Sequence, residues 1–69
     1  MPSISIRSVE LLLKKAGCKR ISVESCEVLR NYLENVALKL GQKSWVYTKH
    51  AKRRTLLKDD VLLAIESLK

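Results

Sequence analysis

The sequence is poor in the two residues that most often interrupt regular structure. Its 69 residues include one proline, Pro2, and two glycines, Gly17 and Gly41. All-β folds need turn residues at short intervals, so this scarcity excludes them and favours an all-α chain. A chain of this length predicts a single small domain, covering residues 1–69.

Long apolar runs are missing as well. No stretch approaches the roughly 18–20 apolar residues that span a bilayer. The start of the chain has neither the continuous apolar segment nor the small-residue cleavage site of a signal peptide. We therefore expect no membrane insertion and a cytoplasmic location.

Groups that could hold a metal or perform catalysis are few. Cys18 and Cys26 are too few for a disulfide scaffold, and with His50 they give three scattered soft ligands where a structural zinc site usually has four. No glycine-rich phosphate loop occurs. A Cys–His dyad with His50 is possible, but two cysteines and one histidine occur together by chance in many small proteins. We expect no enzyme activity, no cofactor and no metal.

Acidic residues are half as frequent as basic ones. The chain has 14 Lys and Arg against 7 Asp and Glu, a net charge of +7, and its 46% apolar content fits a folded domain. The cations form two clusters without an acid: Lys14, Lys15, Lys19 and Arg20, then Lys49, Lys52, Arg53, Arg54 and Lys58. Such clusters are often solvated surface, but together they indicate a phosphate-rich partner.

The pattern of apolar residues predicts three helices, over about 5–16, 23–49 and 58–68. Ser3 or Ser5 can cap the first helix and Ser22 the second, because their hydroxyls accept from free amides of the first turn. Gly17 can end the first helix in a left-handed conformation. The amides at the starts of the second and third helices are expected to point at phosphates.

The middle helix is too long for a monomer of this size. About 27 residues make a helix of about 40 Å, and two helices of about eleven residues cannot cover its apolar stripe. Crossing two copies of the long helix buries the stripe. We therefore predict an obligate dimer whose core contains Tyr32, Leu33, Val36 and Leu40.

Two sequence stretches at the predicted connectors resemble the histone fold, and the chain is most similar to the minimal, tail-less archaeal histones. They are residues 15–22 (KAGCKRIS) and residues 50–61 (HAKRRTLLKDDV). The resemblance covers nearly the whole chain. It implies a three-helix handshake forming an intertwined dimer, in which Ile21 of one chain and Leu56 of its partner lie in short paired strands.

The resemblance also implies roles for individual residues. Arg20 would enter the DNA minor groove, held by Thr55 of the second connector, and Arg54 would contact phosphate. Arg53 and Asp60 would form a clamp between the second connector and the last helix. The full DNA-binding set is Lys14, Lys15, Lys19, Arg20, Ser22, Arg54, Thr55 and Lys58. A dimer–dimer contact is expected at Tyr47, His50, Asp60 and Leu63. The alternative for His50, less favoured, is a cation at the helix end.

Five positions depart from the family pattern. Leu11 and Leu57 stand where polar or basic residues are usual, which suggests weaker phosphate contact or an extra apolar contact. Lys52 replaces a glycine that usually ends the long helix, so the sequence predicts either a strained left-handed residue or a longer helix. Trp45 and Tyr47 are bulkier than usual near the dimer–dimer contact.

These observations favour an architectural chromatin protein that binds, bends and wraps duplex DNA with little sequence specificity. The expected partners are double-stranded DNA and a second copy of the chain, stacking into tetramers or fibres, and the expected location is the chromosome. The alternative is a histone-fold protein–protein adaptor that resembles a component of a transcription factor and acts as a heterodimer with another histone-fold chain. A basic bundle that binds RNA or an anionic membrane surface is a third reading. Preference for duplex DNA would exclude the RNA version, and the polar face of the first helix is too weakly basic to argue strongly for a membrane.

Overall fold

The computed structural model describes residues 3–68, and its order of elements is α1 (Ile6–Lys15), α2 (Val23–His50) and α3 (Lys58–Ser67). No strand occurs within these residues, so the predicted all-α, short–long–short plan is confirmed. The predicted helix ends differ by one residue, because Ser5, Ala16 and Leu68 are cap residues and α2 extends to His50. The predicted domain limits at residues 1 and 69 lie outside the described residues.

Short polar caps explain where the first two helices begin. The Ser5 hydroxyl accepts from the Ser8 amide at 3.1 Å, and the Ser22 hydroxyl accepts from the Ser25 amide at 3.1 Å. Each bond satisfies one of the orphan amides of a first helical turn. Ser5, rather than Ser3, is the cap of α1.

A glycine lies just beyond the end of α1. The Cys18 amide donates to the Leu13 carbonyl and the Gly17 amide to the Lys14 carbonyl, with Gly17 at φ +101°. This pair of bonds is the Schellman motif, which requires a left-handed residue at its centre. Gly17 adopts that conformation without a Cβ penalty.

The described residues divide into two compact units, one ending at Asn35 and the other beginning at Val36. In the first unit Val9 and Cys26 are the fully buried side chains. The amides of Ser3 and Ile4 both donate to Glu34 Oε2, the latter at 2.9 Å. The Ile4 amide is the main reason why the pKa of Glu34 lies below its ordinary value. This carboxylate therefore joins the segment before α1 to α2.

The second unit buries mostly polar side chains. Ser44 and Thr48 on α2 and Asp60 and Ala64 on α3 are its buried residues. A buried polar group without a partner is destabilising, so each of the three polar side chains needs a hydrogen bond. These bonds organise the candidate site described below.

A single chain leaves much apolar surface uncovered. Val28 is 70% exposed and Tyr32 65%, and both lie on α2. The predicted dimer-core residues Leu33, Val36 and Leu40 are only partly buried. Exposed large side chains also include Leu11, Leu12, Val23, Leu38, Trp45, Val46, Leu56, Leu57, Leu62, Leu63, Ile65 and Leu68. Soluble monomers rarely expose this much apolar area, so a dimer stays the favoured prediction.

Candidate nucleic-acid interface

All four residues of the first basic cluster are exposed. Lys14 and Lys15 occupy the last turn of α1, and Lys19 and Arg20 lie in the connector before α2. Lys14 is also 3.4 Å from Glu10 one turn earlier, which is a weak, exposed ion pair. Lys15, Lys19 and Arg20 therefore offer the freer charges.

Ser22, also predicted to contact DNA, has a structural partner. Its hydroxyl caps α2 and lies 2.7 Å from the Ser25 hydroxyl. The cap fixes the point at which the connector enters the helix. A contact between Ser22 and DNA stays a prediction.

The second connector begins with a strained residue. Lys52 has φ +60°, the left-handed conformation that the sequence offered as one of two possibilities. Its amide donates to the Lys49 carbonyl at 2.9 Å, and the Arg53 amide donates to the Thr48 carbonyl at 3.1 Å. This is a second Schellman motif, with lysine in place of glycine, and a non-glycine residue there is disfavoured by roughly 1–2 kcal/mol. Helix α2 stops instead of running longer, and Arg53 turns back toward α3.

Asp60 is the centre of the second connector. Arg53 donates to it bidentately, Nη1 to Oδ2 and Nη2 to Oδ1, both at 2.9 Å. The Thr48 hydroxyl lies 2.7 Å from Oδ2 and the Leu57 amide 3.0 Å from the same atom. Asp60 is 2% exposed, so these contacts surround the carboxylate. Arg53 Nη1 also lies 3.3 Å from the Thr55 carbonyl oxygen, which adds a contact inside the connector.

These contacts decide the charge state of the clamp. The Arg53 hydrogen bond, followed by the Leu57 amide and the Thr48 hydroxyl, holds the pKa of Asp60 far below its usual range. The same bond raises the pKa of Arg53. Both groups stay ionised, and bidentate arginine–carboxylate pairs of this kind fix geometry as well as energy. The clamp therefore holds the connector in one shape.

The clamp separates the roles of the two adjacent arginines. Arg53 is half-buried and its charge is neutralised by Asp60. Arg54, Thr55 and Lys58 are exposed, and no hydrogen bond or ion pair involves their side chains in the part of the chain described. The structure thus leaves Arg54 and Lys58 free to meet an external phosphate.

The start of α3 carries two acidic residues. The Leu57 amide, at the N-cap of α3, already donates to Asp60, and Asp59 adds a second carboxylate to the first turn. Two negative charges at a helix N-terminus satisfy its dipole and repel a phosphate. Asp60 already occupies the Leu57 amide, and phosphate binding by the other amides at this helix start stays a prediction.

The residues predicted for a dimer–dimer contact have different environments. His50 and Leu63 are exposed, Tyr47 is half-buried, and Asp60 is enclosed by the clamp. Asp60 is nearly inaccessible in this arrangement. His50, Leu63 and Tyr47 remain the accessible members of the predicted set.

Sequence reasoning did not identify Thr48 as part of the site. In the sequence, Thr48 and Ser44 are small polar residues of the long helix and belong to no motif. Thr48 Oγ1 lies 3.2 Å from the Ser44 carbonyl oxygen and closer still to Asp60, so it links the two helices. The signal in the sequence that could have indicated this contact is a hydroxyl, Thr48, on the apolar face of the long helix, followed by an acid, Asp60, at the start of the next helix.

Within residues 3–68 there is no group of three or more His, Cys, Asp or Glu able to hold a metal ion. No helix in this part combines the length and the hydropathy needed to cross a bilayer.

Comparison with known proteins agrees with the fold. Residues 2–65 match the family described as "Histone-like transcription factor (CBF/NF-Y) and archaeal histone". One of the subunits of archaeal histone HAN1 from Thermococcus zilligii is 34% identical over 67 residues, 97% of this chain and 100% of that protein. Probable archaeal histone 3 of Methanocaldococcus jannaschii is 35% identical over 65 residues, 94% of this chain and 97% of that protein.

A eukaryotic relative matches over a shorter part of its own length. Histone H4, major, of Tetrahymena pyriformis is 35% identical over 63 residues, which cover 86% of this chain and 57% of that protein. Membership of this family, rather than the lack of any catalytic group, argues that the chain is not an enzyme. The resemblance inferred from the two connectors is confirmed: the chain belongs to the family of histone-like transcription factors and archaeal histones and is a histone-fold chromatin protein.

Proposed function

We propose that this chain is an architectural protein that binds, bends and wraps duplex DNA as a homodimer, with little sequence preference. The proposal rests mainly on the arrangement of the second connector. The Arg53–Asp60 clamp holds it rigidly while Arg54, Thr55 and Lys58 stay exposed. A connector fixed in this way presents cations without an ordering penalty at each encounter with DNA.

The binding energy in this proposal comes mainly from phosphate neutralisation. Two chains carry 2 × 7 = +14 charges, and each phosphate that they neutralise releases counterions. Lys15, Lys19, Arg54 and Lys58 would supply these contacts. Arg20 would enter the minor groove beside Thr55 of the partner, which favours easily narrowed and bent DNA without reading a base code.

Dimerisation is part of the same proposal. The uncovered apolar side chains on α2, among them Val28 and Tyr32, support an intertwined pair of chains. In such a pair the first connector of one chain would lie beside the second connector of the other. The two basic clusters would then combine into one DNA-binding surface at each end of the dimer.

A heterodimeric adaptor is the second candidate function. The exposed Leu11 and Leu57, 46% each, favour it because they put apolar surface where a DNA-binding face would carry cations. The name of the relative from Thermococcus zilligii describes one of several subunits, which is a further reason to consider it. In this case the chain would need another histone-fold chain before it binds anything.

The proposed location is the chromosome within the cytoplasm, and the proposed larger assembly is a stack of dimers through Tyr47, His50 and Leu63. His50→Ala tests the stacking directly. If dimers stack, this variant protects shorter DNA while the affinity of the single dimer is kept. An unchanged protection pattern would remove the stacking proposal and leave the DNA-binding dimer.

Nuclease protection of mixed-sequence linear duplex, over a range of protein ratios and salt concentrations, tests the main proposal. We expect protection at low salt and an affinity that falls steeply with salt. Arg54→Ala should weaken binding several-fold and reduce the salt slope by about 2 per dimer, because two phosphate contacts are lost. Arg7→Ala removes the same charge from the start of α1 and should have a smaller effect.

Failure of the pure chain to protect DNA at low salt would contradict the architectural proposal. Recovery of protection on adding a different histone-fold chain would then establish the adaptor. If RNA duplexes compete as well as DNA of equal length, the wrapping of B-form DNA is also refuted.

A further inference from the structure

A shallow apolar groove lies on the first half of α2. Its lining is Val28, Leu29 and Tyr32 with the polar residues Glu24 and Ser25, and its volume is about 600 Å³. Val28 and Tyr32 are both about two-thirds exposed, so nothing in the described chain fills the groove. The groove has one charged lining residue, and that residue is an acid.

The same helix face changes character in the second half of α2. At about 100° per residue, Val28, Tyr32, Val36, Lys39 and Lys43 fall within an arc of about 80°. Lys39 is exposed and Lys43 half-buried, and they are like charges one turn apart, which destabilises an isolated helix. The face is therefore apolar beside an acid at one end and doubly basic at the other.

Within residues 3–68, Glu24, Lys39 and Lys43 take part in no ion pair. The ion pairs within residues 3–68 are Glu10 with Lys14 and Arg53 with Asp60. An opposite charge from outside would relieve the repulsion between the two lysines.

We propose that the groove receives Lys39 and Lys43 of a second copy, and that this contact makes the chain select itself as its partner. Lysine stems can lie along the apolar groove while their ammonium groups reach water or an acid. Val28, Leu29 and Tyr32 would cover the stems. The Glu24 carboxylate and the Tyr32 ring would attract the ammonium groups.

The arrangement is self-complementary. The middle of α2 lies between the groove and the lysines, so two helices that cross in opposite directions near this point bring each groove to the other chain's lysines. A two-fold axis then makes the contact twice. This inference rests on the proposed homodimer. It adds that the contact between the groove and the two lysines determines the choice of partner.

A charge-swap experiment tests the proposal. Glu24→Lys puts a cation beside the groove, and Lys39→Glu with Lys43→Glu makes the opposite end acidic. Alone, each variant should dimerise about tenfold more weakly than the unchanged chain at low salt, since both symmetric contacts become repulsive. An equimolar mixture should recover the original affinity, because both contacts in the mixed dimer are attractive.

Sedimentation equilibrium gives the affinities, and native mass spectrometry gives the proportions of the three dimers. If a variant alone loses its helical circular dichroism, recovery of helix on mixing replaces the affinity measurement. The control, Arg7→Glu, makes the same kind of charge reversal at an exposed position of α1, outside both basic clusters, and should dimerise normally.

Two results would overturn the proposal: variants that dimerise as tightly as the unchanged chain, or a mixture with a statistical 1:2:1 distribution. A chain that pairs only with a different histone-fold protein would also overturn it. Failure of the mixed dimer to bind DNA while pairing is restored would instead refute the proposed function. The swapped residues lie outside both basic clusters, so the two failures are distinguishable.

Discussion

In the unit that ends at Asn35, the fully buried side chains are Val9 and Cys26, and the packing is apolar. In the unit that begins at Val36, Ser44, Thr48 and Asp60 are buried, and Ala64 is the one apolar residue beside them among the described side chains. The first unit combines apolar burial with the Glu34 hydrogen bonds, whereas the second is held mainly by hydrogen bonds between side chains and one ion pair. Changes of volume should therefore affect the first unit, and changes of pH or charge the second.

The polar unit contains the more ordered of the two connectors. A satisfied polar network rigidifies a core, because an unsatisfied member is strongly destabilising in a low dielectric. An apolar contact tolerates small shifts that a bidentate ion pair does not. This difference explains why the connector that presents Arg54 and Lys58 is clamped, whereas the connector that presents Lys19 and Arg20 relies on caps alone.

The strongest test of the comparison is Asp60→Asn. The variant keeps the size of the side chain but leaves Arg53 without its counter-charge, so we expect a fall in melting temperature on the order of 10 °C. Thermal unfolding at fixed protein concentration measures it. A change of only a degree or two would mean that the clamp does not stabilise the polar unit.

The same variant should alter the response to acid. The pKa of Asp60 is lowered in the folded state. The stability that the ionised side chain contributes is therefore complete above the unfolded pKa of about 3.9 and is lost as the pH falls below that value. The unchanged chain should therefore lose stability below about pH 4 more steeply than Asp60→Asn. Parallel acid-unfolding curves for the two proteins would show that other carboxylates dominate.

Val9→Ala tests the apolar unit. Removing two methyl groups from a fully buried site should lower the free energy of unfolding by about 2 kcal/mol. The loss should be the same at pH 7 and at pH 4, in contrast to the effect of Asp60. Leu12, on the same helix, is 54% exposed, so Leu12→Ala is the control and should lower the free energy of unfolding less.

Lys52→Gly sharpens the comparison of the two Schellman motifs. Glycine adopts φ +60° without the Cβ penalty, so the variant should be about 1 kcal/mol more stable. Its affinity for DNA should fall slightly, since each chain loses one cation. Lys52→Ala removes the charge but keeps the strain, so a gain in stability from alanine as well would show that charge, not backbone conformation, is responsible.

The smallest expected effect concerns the start of α3. Leu57 is the N-cap residue but has no side-chain acceptor, unlike Ser5 and Ser22. Leu57→Ser should stabilise the chain by about 0.5 kcal/mol, with Leu57→Ala as the control for the lost apolar side chain. Equal stability of the two variants would show that Asp60 already satisfies this helix end.

The sequence predicted the three helices well because their signals are local. Ser22, Gly17 and the acids of α3 each act on amides or carbonyls within one helical turn. The resemblance at two connectors supplied the Arg53–Asp60 pairing. Both kinds of information lie within a few residues of the feature that they predict.

Features that depend on distant residues were predicted less well. The Thr48–Asp60 contact joins residues twelve apart on different helices, and the Glu34 contact joins α2 to amides thirty residues earlier. Neither has a local pattern that distinguishes it from ordinary helix surface. At Lys52 the sequence allowed either a left-handed residue or a longer helix. A lysine disfavours the left-handed conformation, but the bonds of the Schellman motif impose it.

The apolar surface that α2 leaves uncovered has a consequence for how the protein accumulates. If folding requires pairing, the folded fraction depends on the concentration of chains and not only on temperature. At low expression most chains would be single, unfolded and open to proteases, and the folded pool would grow roughly with the square of the chain concentration. A cell would then hold either very little of this protein or a large, stable supply.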